Sequence, residues 1–126
     1  DAAISMAADL AKKLDTVIAI SGKIDVISNG TESCILRNGC ATMARITGSG
    51  CMLTSLIAAF CGVCEDSFLA ACSAMAVMGI SGEIAEEKRL QNKTGNATFR
   101  NDLIDAVFNL EEQQLKQGVH YEIYKR

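Results

Sequence analysis

The chain has 126 residues and is 49% hydrophobic, enough for one domain with a sizeable core and too short for a second. Its formal charge of −3, with acids and bases interspersed, offers no basic patch and excludes nucleic acid as a partner. The longest apolar runs are broken by Gly, Asp or Glu short of the ~20 residues that span a bilayer, and no charged segment precedes a cleavable apolar stretch. A cytoplasmic protein with no membrane partner is therefore expected.

Residues 1–14 place Ile4, Ala7, Ala8, Leu10, Ala11 and Leu14 at helical spacing opposite Asp9, Lys12 and Lys13, which predicts an amphipathic helix on a sheet. Thr16 to Ile20 is a β-branched run of the kind seen in a strand buried on both faces. Helix then strand points to an α/β unit. Ser21-Gly22 breaks the strand at its C-terminal end, where open α/β sheets hold ligands; a plain turn fits these residues equally. Ile24–Ser28 and Thr31–Arg37 read as strands joined at Asn29-Gly30, the dipeptide most favoured in two-residue hairpins. Asn38-Gly39 gives a second turn, after which Cys40 to Thr47 crosses back toward the ligand edge. Arg45 reads as solvated, with a phosphate partner as the alternative.

The stretch Arg45–Phe60 organises the chain, because Gly48-Ser49-Gly50-Cys51 runs directly into the apolar, small-residue helix Met52–Phe60. A helix start leaves N–H groups free and carries partial positive charge, and two glycines let a phosphate or alkoxide oxygen approach those donors. Gly48, Ser49, Gly50 and Cys51 are thus a candidate anion hole, with Cys51 in the first turn facing whatever is bound. An ordinary tight turn is the alternative. Being apolar nearly all round, this helix is expected to lie buried between sheet and neighbouring helices. Asp66 or Ser67 caps the next helix, which runs through Phe68, Cys72, Met75 and Gly79 toward Lys88. Glu86-Glu87-Lys88-Arg89 reads as its solvated end; only Glu83, flanked by Gly82 and Ile84, is a candidate for partial burial, and it receives no role. Beyond Gly95, Leu103, Ile104, Val107, Phe108, Leu110 and Leu115 define one final amphipathic helix, with Tyr121–Tyr124 as a terminal edge strand.

The six cysteines lack paired metal-ligand knuckles, and the only histidine, His120, lies far from them in sequence. Cys61-Gly62-Val63-Cys64 falls where a helix ends, whereas a thioredoxin-like pair begins one. The cysteines read as buried thiols acting as small apolar residues in a reducing compartment, and no metal ligand is assigned.

With its flanks, Thr47-Gly48-Ser49-Gly50-Cys51 resembles the hydroxyethylthiazole kinase family of the ribokinase-like superfamily, whose members open a helix with Thr-Gly-(Thr/Ala)-Gly-Cys. Thr16 to Ile27 is similar to the family's strand, Thr-Gly turn and strand, with Ser21 replacing Thr. Ala58-Ala59-Phe60, Gly79 to Ala85 and Gly95-Asn96-Ala97-Thr98-Phe99 follow in the family's order, the last departing from Gly-Pro-Gly-Ser-Phe. The resemblance implies an α/β, layered ribokinase-like fold in which residues 1–126 form the C-terminal half of a kinase domain, a sheet flanked by helices with a β-hairpin.

The implied activity is ATP-dependent phosphorylation of the primary hydroxyl of 5-(2-hydroxyethyl)-4-methylthiazole, in thiamine biosynthesis or salvage. The implied cofactors are ATP and Mg²⁺, the latter without a nameable ligand here, and the implied assembly is a homotrimer. The resemblance assigns Ser21 to the ATP phosphates and Gly48 to the thiazole pocket. It assigns Cys51 as the catalytic residue, where ribokinase relatives place a proton-accepting aspartate; that Cys51 only fills space is the alternative. With the other half of the site elsewhere, the 126 residues are expected to be inactive alone. A non-catalytic anion-binding or assembly module, or a ribokinase-like kinase for another small alcohol, are the competing functions.

Overall fold

The computed structural model describes residues 2–126; Asp1, assigned from sequence to the first helix, lies outside the described residues. The elements are α1 (Ala2–Leu14), β1 (Ile18–Ile20), β2 (Asp25–Ser28), β3 (Glu32–Leu36), a 3₁₀ helix (Ala41–Arg45), α2 (Ser49–Val63), α3 (Ser67–Asn92), α4 (Asn96–Asn109), α5 (Glu112–Gly118) and β4 (Tyr121–Lys125). The four strands form one sheet in sequence order, every neighbouring pair antiparallel. Helices flank it, giving the expected layered α/β arrangement with a hairpin.

Side-chain alternation along the central strands sets the layers. Val26 and Ile35, paired across β2 and β3, turn toward α1 and pack with Ala7. Ile27, Cys34 and Leu36 turn the other way, onto Phe68, Ala71, Met75 and Ala76 of α3. Covering both faces is why these strands carry nearly continuous apolar runs. α3 serves a second layer as well, since Met78 and Ala85 pack with Phe99 and Leu103 of α4. Contrary to expectation, α3 is long and apolar enough to cross a membrane by length and composition. However, 72% of its apolar window is buried inside the fold, as in a core helix packed on two sides.

Local chemistry explains most boundaries. Asp66 caps α3, its Oδ1 accepting from the Phe68 and Leu69 amides at 3.0 and 3.2 Å. The hairpin tip lies one residue beyond Asn29-Gly30. The Asn29 amide donates to the Glu32 carbonyl at 3.1 Å, and the Asn29 side-chain oxygen accepts from the Thr31 and Glu32 amides. Gly30-Thr31 therefore turns the chain. Gly30 has a φ of 92°, and a Cβ there would sit 3.1 Å from the backbone nitrogen of Lys12.

Several expectations are corrected. Among the described residues β1 pairs only with β2, so it is an edge strand, and Ala19 on it is exposed rather than buried. Cys40 to Thr47, read from sequence only as a crossing toward the glycine turn, contains the 3₁₀ helix. α2 has no fully buried residue: Leu53 and Leu56 pack inward, while Ala58, Ala59 and Val63 stay exposed. No element among the described residues covers that outer face. The single last helix is two, broken at Leu110, which is extended; a capping box between Glu111 and Gln114 then starts α5. The expected terminal edge strand is β4, paired only with β3.

The segment after β3 is pressed onto α3. A Cβ at Gly79 would lie 2.7 Å from Asn38 Cβ and 3.1 Å from its carbonyl carbon, while one at Gly82 would overlap the Met43 sulfur. Gly79→Ala is expected to destabilise the fold by about 1–3 kcal/mol, because overpacking against backbone exceeds the ~1 kcal/mol gain in helix propensity. Gly82→Ala should cost less, since the Met43 thioether can turn aside. Urea denaturation of the two variants measures the order.

Candidate active site

The turn before α2 forms because Gly48 takes a left-handed conformation, with a φ of 86°, that few other residues adopt. No side chain caps α2, and the Met52 amide, bonded to the Gly48 carbonyl at 2.9 Å, begins its hydrogen-bond ladder. The amides of Ser49, Gly50 and Cys51 are the uncapped first-turn donors. A Cβ built at Gly48 or Gly50 would meet nothing within 4 Å, so there is open space beside both glycines. This is the geometry an anion needs at a helix start.

Two hollows meet at this point. One, of about 770 Å³, is bounded by Ser21 to Lys23 after β1, by Asn38 to Ala41 and Met43, and by Ser49 and Gly50, with Met75, Met78 and Gly79 among its walls. The other, of about 550 Å³, is a groove between α2 and α4 lined by Gly48, Cys51, Met52 and Ser55 and, across from them, Arg100 and Ile104. The structure thus brings Ser21, Ser49 and Gly50 to one hollow and Gly48 and Cys51 to its neighbour. Cys51 is exposed, as is Ser21. The larger hollow carries the cations Lys23 and Arg37 and the acid Asp25. Asp25 is partly withdrawn from water, which pushes its carboxyl up, while the Gly22 amide donating to it at 3.0 Å pulls it back.

The expectation of buried thiols holds only in part. Cys34 is buried and Cys40, Cys64 and Cys72 are half-buried, but Cys51 and Cys61 are exposed, because α2 lacks a cover on that side. The Cys34 thiol of β3 faces that of Cys72 of α3, an interaction that lowers the pKa of Cys34 and, together with burial, raises that of Cys72. Cys61 lies in the last turn of α2 and Cys64 at its cap, as the sequence indicated. Among the described residues no group of three or more His, Cys, Asp or Glu side chains could hold a metal ion.

Residues without a sequence-derived role complete the picture. Glu83 accepts from the Gly39 amide at 3.1 Å and from the buried Asn38 side chain, and both of these line the larger hollow. Glu86 and Arg89 are half-buried and form a bidentate pair with both contacts at 2.7 Å, which corrects their reading as a solvated helix end. Arg45 is exposed and lies near Glu86. The available signal was Gly79 and Gly82 on the same helix as two carboxylates three residues apart, a face built to receive backbone.

The sequence profile of the hydroxyethylthiazole kinase family matches residues 1–113. The chain belongs to that family. Hydroxyethylthiazole kinase of Clostridium acetobutylicum is 42% identical over 125 residues, covering 98% of this chain and 45% of that protein. Its counterpart in Clostridium beijerinckii is 47% identical over 110 residues, covering 87% of this chain and 39% of that protein. The solved structure of hydroxyethylthiazole kinase protein from Pyrococcus horikoshii OT3 superposes with a TM-score of 0.87 at 26% identity, over 98% of this chain and 47% of that one. The chain spans about half the length of the relatives it matches.

The Glu86 contacts generate an acid dependence. Hydrogen bonding from Arg89, then from Thr42, and the charges of Arg89 and Arg45 hold its carboxyl at about 2, below the ordinary 4.5. A lowered folded-state pKa stabilises the fold above 4.5, and that contribution is lost as pH falls toward 2. Glu86→Gln should therefore melt below wild type above pH 4.5, with the difference closing toward pH 2, as followed by thermal melts across that window.

Proposed function

We propose that this chain forms part of an ATP-dependent kinase that phosphorylates the primary hydroxyl of 5-(2-hydroxyethyl)-4-methylthiazole in thiamine biosynthesis. The observation that carries the proposal is the uncapped start of α2 at Gly48-Ser49-Gly50-Cys51, with open space beside both glycines, in a member of the hydroxyethylthiazole kinase family. Phosphoryl transfer asks mainly for positioning and charge stabilisation, which first-turn amides supply. The alcohol oxygen attacks the terminal phosphorus, ADP leaves, and the amides of Ser49, Gly50 and Cys51 face the negative charge on the transferring group. Ser21, across the larger hollow from Gly50, donates its hydroxyl to an ATP phosphate. Gly48, having no side chain, leaves room for the thiazole. Cys51 receives or orients the hydroxyl proton. Mg²⁺ would accompany ATP; no residue of this chain is named as its ligand, and no step is assigned to it. A cytoplasmic homotrimer, with residues 1–126 as the C-terminal half of its kinase domain, completes the proposal on family resemblance.

Thiazole-dependent ADP release by the whole protein tests this proposal; its absence would favour an anion-binding or assembly module, and release with another alcohol only would favour a related kinase. Ser21→Ala should weaken ATP use more than thiazole binding, by about 0.5–1.5 kcal/mol for one lost hydrogen bond, and Ser21→Thr should be nearly neutral. Unchanged ATP kinetics in the alanine variant removes Ser21 from the site. Cys51→Ala should lower kcat with KM for ATP intact, and Cys51→Asp should keep or exceed wild-type activity because its carboxylate is ionised. If Cys51 only fills space, alanine is silent and aspartate harmful, so the two variants carry opposite signs.

A further inference from the structure

We infer that Glu83 is a positioning residue that sets the glycine turn from behind the cleft, an inference that rests on the phosphoryl-transfer proposal for its kinetic consequence. Glu83 lies on α3 and does not line either hollow, yet its carboxylate takes three contacts from the segment that does. Both of its oxygens accept from Asn38 Nδ2 at 3.2 Å, and Oε1 also accepts from the Gly39 amide at 3.1 Å. Asn38 is buried and its amide is fully used, because Nδ2 also donates to the Gly118 carbonyl and Oδ1 accepts from the His120 amide, both at 2.8 Å. Gly79 leaves the notch in which Asn38 sits. No alternative amide orientation satisfies these three partners, so Asn38 has one pose, and Gly39 follows it with a φ of 117°.

From Gly39 the constraint runs on to the α2 start. The Cys40 thiol donates to the Gly82 carbonyl at 3.5 Å, and the Met43 amide donates to the Cys40 carbonyl at 3.2 Å, closing the 3₁₀ turn. The Met43 carbonyl then accepts from the Ser49 hydroxyl at 3.3 Å, at the first residue of α2. Asn38, Gly39, Met43, Ser49 and Gly50 all face the same hollow. The hydrogen-bond partners of Glu83 are neutral, and a half-buried carboxylate among neutral donors is a poor source of stability compared with an apolar residue. Its geometric consequence is larger: it fixes two adjacent backbone positions whose descendants carry the anion donors. Displacement of such donors by ~1 Å can cost about a hundredfold in rate.

The test uses the whole protein, with Glu83→Ala and Glu83→Gln, by steady-state kinetics with ATP and the thiazole alcohol and by amide hydrogen exchange. Glu83→Ala should lower kcat by about tenfold to a hundredfold with KM for ATP little changed, and should speed exchange at the hydrogen-bonded amides of Gly39, Met43 and Met52 while the sheet and α4 keep wild-type protection. Glu83→Gln keeps one acceptor for the Gly39 amide and should recover part of both effects. A folded Glu83→Ala protein with wild-type kcat, or with wild-type exchange at Met43 and Met52, overturns the inference. If the alanine variant does not fold, exchange in the glutamine variant decides: faster at Met43 and Met52 supports the inference, and unchanged overturns it. Wild-type protein with no thiazole-dependent ADP release would instead sink the kinase proposal, and the exchange pattern alone would then judge Glu83.

Discussion

The close seating of Asn38 against Gly79 is the contact on which the rest of this structure depends. α3 packs on the sheet through one face and on α4 through another, so any segment crossing it must do so where its side chains are absent. Gly79 and Gly82 provide that place, one for Asn38 and one for Met43. The chain leaving β3 therefore lies directly on helix backbone, and the buried polar amide this brings inside is matched donor for acceptor by Glu83, Gly118 and His120. The same amide ties the chain leaving β3 to the middle of α3 and to the junction of α5 with β4, both far away in sequence. Without the notch, the 3₁₀ helix would ride higher and the α2 start would lose its support.

The division of labour between the α2 start and its surroundings follows from that seating. Glycines at the turn give access and bare amides but little rigidity, since each lacks the side chain that would lock it. Rigidity comes from outside, through Ser49 on the Met43 carbonyl and through the carboxylates of Glu83 and Glu86 on α3. An anion site made only of glycine amides would have to be ordered by its ligand, at a cost in conformational entropy. Here the segment next to it is already fixed.

Periodicity and capping chemistry made the framework legible in sequence. Asp66 before an apolar run announces α3, the alternation around Asn29-Gly30 announces the hairpin, and Thr47 to Cys51 announces the turn opening α2. What escaped has physical reasons. β1 looks like a central strand because Ile18 and Ile20 are apolar, but strand position depends on how many neighbours pair with it, which no local pattern encodes. The division of α4 from α5 hides because Leu110 continues the apolar spacing while adopting extended backbone. The α2 pattern specifies an apolar helix without specifying what covers each of its faces.

Glu83 and Glu86 show the deeper limit. Charge on a helix is normally read as a solvated face, an inference that holds when water is the only available partner for a carboxylate. Next to two glycines it fails, because removing side chains from a helix lets another backbone come close, and that backbone brings amides that compete with water for the acid. Gly79, Gly82 and Glu83 thus form a single receiving surface, the glycines making the space and the carboxylate the anchorage, while Glu86 is held by Arg89 of its own helix. The pairing is informative in both directions. A glycine in mid-helix weakens the helix unless something uses the room it leaves, and a half-buried acid is unfavourable unless donors reach it. Each feature counts against stability alone, and the segment that answers both is the one that supports the start of α2.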